Sequence, residues 1–170
     1  MSSSSSSRKP RKPANVSNVM YTNAVYFPNY RIYKGDTPGQ LNYACISLVY
    51  YAFANVAQDG GVFVGATTPG GRRAPANTGS QLSDEWADAG VPCDGVKGGL
   101  GSLMHLKGEH PHLQVVLSIG GANSAEAFPF VAANPLLRDN FARSAAGLVD
   151  ASGLDGIDGS VARPPRESPR

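Results

Sequence analysis

Four short apolar segments, at residues 23–27, 45–54, 114–119 and 154–158, constrain the fold more than any other feature of this chain. The second and third are continuous runs, CISLVYYAFA and QVVLSI, rich in β-branched and aromatic residues and almost free of polar alternation. Such runs are typical of strands that are covered on both faces, as in a parallel sheet. The four segments therefore predict four strands of one parallel sheet.

The segment between the third and fourth strands predicts a long helix. Asn134 is a suitable N-cap, Pro135 suits the first helical position, and Gly153 is placed to end the helix. An apolar stripe at helical spacing runs along it and consists of Leu137, Phe141, Leu148 and Val149. Strand, helix and strand in this order indicate βαβ units and an α/β fold.

Two other segments are interpreted with fewer signals. Residues 96–106 carry leucine and methionine at helical spacing and predict a second helix, although three glycines weaken the pattern. Residues 58–83 are rich in glycine, threonine and proline and predict a long surface loop.

The charge distribution argues against a nucleic-acid partner. The formal net charge is +2, but residues 1–15 hold four basic residues and no acidic one, and residues 163–170 hold three basic residues against one acidic. The rest of the chain is therefore acidic, which does not suit a phosphate backbone. Because no segment approaches the roughly 20 apolar residues of a membrane span, no membrane partner is predicted either.

The beginning of the chain predicts a disordered, basic, serine-rich tail over residues 1–18, because MSSSSSSRKPRKP cannot bury apolar surface. It has no apolar stretch of the kind found in secretory signals, so the chain as written is expected to stay inside the cell. The basic cluster at residues 8–12 is interpreted as a solvated tail, with a nuclear-localisation signal as the alternative.

The cysteines and histidines give no metal or cofactor prediction. Cys45 lies in an apolar run and is expected to be a buried free thiol, and Cys93 is expected to lie in a loop. A bridge between them remains the alternative. Three histidines within residues 105–112, together with Glu109, match no common zinc spacing and are expected on a solvated loop.

Polar and glycine residues follow the third and fourth strands where active sites of parallel sheets are built. The third strand ends in Ser118-Ile119-Gly120-Gly121, and the fourth carries Asp155 and Asp158. Because the carboxyl ends of parallel strands meet at one edge, these residues are candidates for a common site. Paired glycines let a backbone or ligand approach closely, and carboxylates on an apolar strand are costly unless they are used or paired.

Four motifs in order resemble the family 18 glycoside hydrolases, the chitinase family. They are AVYFPNY at residues 24–30, LVYYAFAN at 48–55, SIGG at 118–121 and LDGID at 154–158. The resemblance implies an α/β fold that is a partial (β/α)8 TIM barrel, roughly strands 1–4 with their helices, over residues 19–158. It also implies a substrate-assisted, retaining hydrolysis of chitin or N-acetylglucosamine oligosaccharides, without cofactor, by relatives that are often secreted.

The resemblance assigns roles to particular residues. The family shows Asp-x-x-Asp-x-Asp-x-Glu on its fourth strand, whose Glu is the general acid, and an Asp that neighbours this Glu orients the substrate acetamide. Asp155 and Asp158 match the first two aspartates as catalytic-motif residues, but Ser160 stands in place of the third and Ala162 in place of the acid. A methyl group cannot donate a proton near neutral pH, so the chain is expected to be inactive.

The resemblance also implies sugar-binding roles, each with a structural alternative. Phe53, Tyr26, Gly120 and Gly121 are the candidates for contact with substrate. Aromatic residues on buried strands are more often core residues, so both aromatics have that alternative. Asp155 is equally interpreted as a structural hydrogen-bonding partner.

Three functional hypotheses follow for the whole chain. The first is a chitinase-like hydrolase that lacks its acid, the second a non-catalytic glycan-binding relative, and the third an incomplete product without a folded function. The composition changes after Asp158, so residues 159–170 are expected to be a disordered tail outside the family, as after a reading-frame break or a retained intron. A half barrel would also leave open sheet edges, which are expected to cause self-association.

Overall fold

The computed structural model describes residues 22–63, 67–68, 72–73 and 86–161. Its strands and helices are, in chain order, β1 (Ala24–Pro28), β2 (Leu48–Val56), β3 (Val62–Phe63), β4 (Thr67–Thr68), β5 (Arg72–Arg73), β6 (Pro92–Cys93), β7 (Val96–Lys97), α1 (Gly99–Glu109), β8 (Gln114–Gly121), α2 (Ala127–Ala133), α3 (Pro135–Ser152) and β9 (Gly156–Val161). Short helical turns lie at Asn29–Lys34, Pro38–Gln40, Trp86–Gly90 and Ala122–Ser124.

The predicted parallel sheet of four strands is confirmed. Strands β1, β2, β8 and β9 lie side by side in that order, and each neighbouring pair is parallel. Two predicted strands are displaced along the chain: the second begins at Leu48 rather than at residue 45, and the fourth runs from Gly156 to Val161 rather than over 154–158.

One face of this sheet forms the core. Side chains at alternating positions of the two central strands are fully buried there, namely Val49, Tyr51, Val115, Leu117 and Ile119. Leu103 and Leu106 of α1, Val131 of α2 and Ala145 of α3 belong to the same cluster. Each large apolar side chain buried in this way stabilises the fold by about 1.5–3 kcal/mol. The opposite face carries the other parity of each strand and is left for polar and aromatic groups.

Helix α3 forms as the sequence predicts. The Asn134 side chain accepts a hydrogen bond from the Leu136 amide at 2.9 Å, and Pro135 takes the first helical position. Gly153 ends the helix in the left-handed conformation, with φ of 70°. The predicted apolar stripe packs against the core cluster. Local capping signals therefore define both ends of this helix.

The predicted surface loop at residues 58–83 is wrong for the part around β3. Val62 and Phe63 are buried at 0% and 6% exposure, because β3 pairs antiparallel with the end of β2. The predicted helix at 96–106 is displaced to α1, since β6 and β7 form a hairpin over its expected start. A side chain at Gly98 would collide with the backbone of Asp88 and Ala89, which fixes a glycine at the junction.

The prediction that a disordered tail begins after Asp158 is wrong for the first three residues of that tail. Gly159, Ser160 and Val161 continue β9 and pair with Ile119, Gly120 and Gly121 of β8. Parallel pairing with a long, buried neighbour extends the strand beyond its apolar part. The rest of that predicted tail, residues 162–170, and the predicted tail at 1–18 lie outside the described residues.

The two cysteines exchange their expected environments. Cys45 is exposed, because it precedes β2, and Cys93 of β6 is buried; both are free thiols. Burial and the neighbouring Asp94 carboxylate raise the pKa of Cys93 to about 11, so the thiol stays protonated at neutral pH. Among the described helices, none combines the length and the apolar composition that crossing a membrane requires.

We expect a polypeptide of these 170 residues to self-associate. Within the described residues, β1 and β9 each pair with one neighbour only, and Ile157 and Val161 of β9 are 48% and 60% exposed. Unpaired strand edges with apolar side chains favour association, and a closed barrel avoids this because it has no edge. Sedimentation velocity at micromolar concentration measures the outcome. A monodisperse monomer with a sharp, cooperative thermal transition would contradict this expectation.

Candidate functional site

Asp158 lies on the face of the sheet opposite to the helices and is the centre of the site. The register aligns it with Ser118 of β8, which in turn aligns with Ala52 near the end of the parallel part of β2. Its Oδ2 accepts a hydrogen bond from the Ser118 hydroxyl at 2.8 Å and one from the Tyr26 hydroxyl at 3.0 Å. Asp158 therefore joins β9 to β8 and to β1 through one carboxylate oxygen.

Tyr26 of β1 spans the open face to reach Asp158. Its ring stacks on Tyr50 of β2, with ring centroids 4.7 Å apart and an angle of 22° between the planes. The side chain is nevertheless 53% exposed, so one part of this aromatic pair remains accessible. Partial desolvation, and then the hydrogen bond and negative charge of Asp158, raise the pKa of Tyr26 above its ordinary value of 10.0. Tyr26 is therefore a hydrogen-bond donor at neutral pH.

The predicted glycines allow the end of β8 to pack closely against its neighbours. A Cβ on Gly121 would lie 3.2 Å from the ring of Phe53, and a Cβ on Gly120 would collide with the carbonyl oxygen of Ser160. Both glycines have positive φ, 123° for Gly120 and 75° for Gly121. Phe53 itself occupies the register shift of β2 between Ala52 and Ala54 and is half-buried. The structure thus brings Phe53 against Gly121, and Gly120 against the backbone of β9.

Asp155 is not brought to Asp158. It directly precedes β9, at the end of the sheet where β8 and β9 begin. There its Oδ1 lies 2.8 Å from Lys107 Nζ, and its Oδ2 accepts a hydrogen bond from the Val115 amide at 2.7 Å. These contacts tie the end of α1 to the start of β8 and β9. They fit the structural alternative for Asp155 and not a place among reacting atoms.

Two members of the site are not predicted from the sequence. The sequence does not identify Ser118 as a partner of Asp158, and it does not indicate Tyr50 as a site residue. The register provides the missing signal, because Ser118 is a polar residue within a buried apolar strand and lies directly beside Asp158. A buried hydroxyl requires a hydrogen-bond partner, and the neighbouring strand offers a carboxylate.

The remaining motif position within the described part is Ser160. It shares the parity of Asp158 on β9 and is half-buried like it, whereas Ala162 lies outside the described residues. Among the residues that the structure describes, no group of three or more His, Cys, Asp or Glu side chains is arranged to hold a metal ion.

Comparison with known proteins assigns the family. The sequence model described as glycosyl hydrolases family 18 matches residues 22–161, most of the chain. The chain belongs to this family. The match ends at Val161, which is the last residue of β9 and three residues beyond the boundary expected from composition.

The relatives of this family 18 chain are chitinases by name. It is 36% identical over 139 residues to chitinase 1 of Aphanocladium album and 35% identical over 139 residues to endochitinase 1 of Metarhizium anisopliae. Each alignment covers 81% of this chain and 31% of the relative, so the chain spans about a third of their length. It also superposes on chitinase ChiA74 of Bacillus thuringiensis, with a TM-score of 0.63 and 25% identity over 86% of this chain and 29% of the other.

The fold of the family is a TIM barrel, and the described residues of this chain form part of one. Four parallel strands with helices on one face correspond to the predicted partial (β/α)8 architecture. Within the described residues, the strands do not close into a barrel.

The hydrogen bond between Tyr26 and Asp158 predicts a change in a tyrosine titration. Asp158→Asn removes the negative charge, so the pKa of Tyr26 is expected to fall, with the part due to desolvation remaining. A raised phenol pKa contributes stability below pH 10 that is lost as the pH rises through it, and the substitution should weaken this dependence. Nuclear magnetic resonance of the tyrosine Cζ carbons measures the shift. Asp150→Asn, on the exposed surface of α3, is the control and should leave Tyr26 unchanged.

The packing of Gly120 predicts a difference between two glycine substitutions. Gly120→Ala places a methyl group against the Ser160 carbonyl at a positive φ and should destabilise the fold by about 1–3 kcal/mol. Gly147→Ala, in α3, meets no neighbouring atom within 4 Å and should stabilise it by about 0.5–1 kcal/mol. Urea unfolding of both variants is the measurement. Equal effects of the two substitutions would refute the close approach of β8 and β9.

Proposed function

We propose that this chain forms one side of a chitinase-type glycan cleft that binds N-acetylglucosamine oligomers and does not hydrolyse them. One observation carries the proposal. Asp158 is fixed through Oδ2 alone, by Tyr26 and Ser118, so its Oδ1 has no hydrogen-bond donor among the described residues. A carboxylate oxygen that is held in place and open on one side can accept a hydrogen bond from a sugar hydroxyl or from an acetamide N–H.

The aromatic side chains beside Asp158 support the same ligand class. Tyr26 and Tyr50 form a stacked pair with accessible surface, and an aromatic ring of this kind packs against the apolar face of a pyranose. Tyr30 and Tyr33 follow directly after β1 in the turn Asn29–Lys34 and are 50% and 55% exposed. Because this turn leaves the carboxyl end of β1, these two rings extend the proposed binding surface beyond the sheet.

The absence of hydrolysis rests on two positions of the family motif. Ser160 replaces the third aspartate of the motif, and Ala162 replaces the acid that would protonate the leaving oxygen. General acid catalysis contributes roughly 10²–10⁴-fold to such reactions, and neither a hydroxyl nor a methyl group supplies it near neutral pH. Binding requires neither group, because it depends on Asp158 and the aromatic side chains.

The test is a binding titration of the 170-residue chain with the β-1,4-linked tetramer of N-acetylglucosamine, in which calorimetry measures the binding. Asp158→Ala should weaken binding roughly tenfold, because a charged hydrogen-bond acceptor is lost. Tyr26→Phe should weaken it less, and Asp150→Asn should not change it. The tetramer of glucose, which has the same linkage but lacks the acetamide, is the matched ligand control and should bind more weakly.

The same samples are incubated with a fluorogenic chitobioside. Release of the fluorophore should not exceed that of a blank without protein. Turnover above the blank would refute the inactive assignment. A wild-type chain that binds neither tetramer would overturn the glycan cleft and favour the incomplete product.

A further inference from the structure

The segment that carries Tyr30 and Tyr33 is held at its start by a buried polar contact. Asn29, the first residue after β1, donates a hydrogen bond from Nδ2 to Asp88 Oδ1 at 3.1 Å, and the Tyr51 hydroxyl donates to the same oxygen. All three side chains are buried, at 8%, 3% and 0% exposure. Asp88 comes from the connection between β2 and α1, so this connection fixes the start of the turn Asn29–Lys34 against the sheet.

The far end of the same segment is held by Asp94, from the turn between β6 and β7. Its Oδ1 accepts a hydrogen bond from Thr37 Oγ1 at 2.7 Å, and its Oδ2 accepts bonds from the Gly39 amide at 2.8 Å and from Ser102 Oγ at 2.5 Å. The approach is close, since a Cβ on Gly39 would lie 2.5 Å from Asp94 Oδ1. One carboxylate thus joins three parts of the chain: the β1–β2 connection, the β6–β7 hairpin and α1.

The charge and backbone of Asp94 indicate that this contact is well determined. Partial burial alone would raise its pKa, but the hydrogen bonds from Ser102, Thr37 and Gly39 outweigh this and lower it below the ordinary value. The carboxylate is therefore ionised at neutral pH, and its hydrogen bonds are charge-assisted. Asp94 also has φ of 48°, as expected for the first residue of the two-residue Asp94-Gly95 turn that joins β6 and β7.

The segment between these two anchors packs on the core through Ile32, which is 8% exposed. It contains two short 3-10 turns, Asn29–Lys34 and Pro38–Gln40, which are marginal without outside contacts. The ion pair between Arg31 and Asp36, at 2.7 Å, joins side chains that are 47% and 37% exposed and contributes little. The conformation of the segment therefore depends on Ile32 together with the anchors at residues 29 and 37–39, and Asp94 holds its far end.

We propose that Asp94 is a positioning residue for long N-acetylglucosamine oligomers, because it holds the segment that presents Tyr30 and Tyr33. The ligand in this inference rests on the proposed function. A ring that is already ordered binds without the entropic cost of fixing its segment, whereas a released segment must be ordered by the ligand. Short oligomers that occupy only the Asp158 region do not depend on this ordering.

The experiment uses the 170-residue chain as wild type, Asp94→Ala, Asp94→Asn and the charge control Asp150→Asn. Hydrogen exchange without sugar should become faster over residues 29–40 in Asp94→Ala, with an intermediate effect in Asp94→Asn, which keeps one acceptor oxygen. It should stay unchanged over β8 in every variant and over 29–40 in the control. Thr37→Val removes a single donor and gives a milder variant in case Asp94→Ala does not fold.

Calorimetry with the dimer and the hexamer of N-acetylglucosamine then separates positioning from general damage. Asp94→Ala should weaken hexamer binding roughly tenfold and leave dimer binding within about twofold, as expected when a ligand must order its own contact segment. Equal weakening for both oligomers, or unchanged exchange over 29–40, would overturn the role of Asp94. A wild-type chain that binds neither oligomer would instead overturn the proposed function, while the exchange result still decides whether Asp94 holds the segment.

Discussion

The pair of hydrogen bonds that Asp158 accepts from Tyr26 and Ser118 is the interaction on which the site depends. Tyr26 belongs to the first strand of the sheet and Asp158 to the last, so their contact at 3.0 Å requires that all four strands are paired and curved toward one another. A carboxylate on an apolar strand is costly without such partners. The same contact therefore contributes to the site and to the pairing of the sheet.

Close backbone approach is the second constraint, and it acts through glycine. Gly120 and Gly121 bring the end of β8 against the backbone of β9 and the ring of Phe53, at backbone angles that other residues avoid. Gly39 and Gly98 also permit close approach in the connections, one against Asp94 and one against the backbone of Asp88 and Ala89. Close packing through glycine thus acts in the connections as well as in the strands.

The sequence predicts those features that depend on local patterns. The caps of α3, the parallel sheet and the shared parity of residues 158 and 160 follow from spacing alone, and the family motifs place Tyr26 and Asp158 in one site. It does not predict Ser118 as a partner of Asp158, because the register between β8 and β9 is set by tertiary packing. It also misses Asp94, two of whose partners, Gly39 and Thr37, lie 55 and 57 residues away in the chain. Local composition carries no signal for such contacts.

The replacement of two acidic positions has a physical consequence for the strand itself. The family pattern would place carboxylates at 158, 160 and 162, on one face of β9 and near enough to repel one another. In this chain Asp158 is the acidic residue among these three positions, and Tyr26 and Ser118 both donate hydrogen bonds to it. The strand therefore keeps the contact that joins it to β1 without the mutual repulsion of three carboxylates. Stability and catalysis make opposite demands on this face, so the family fold can persist in a sequence from which the acid is missing.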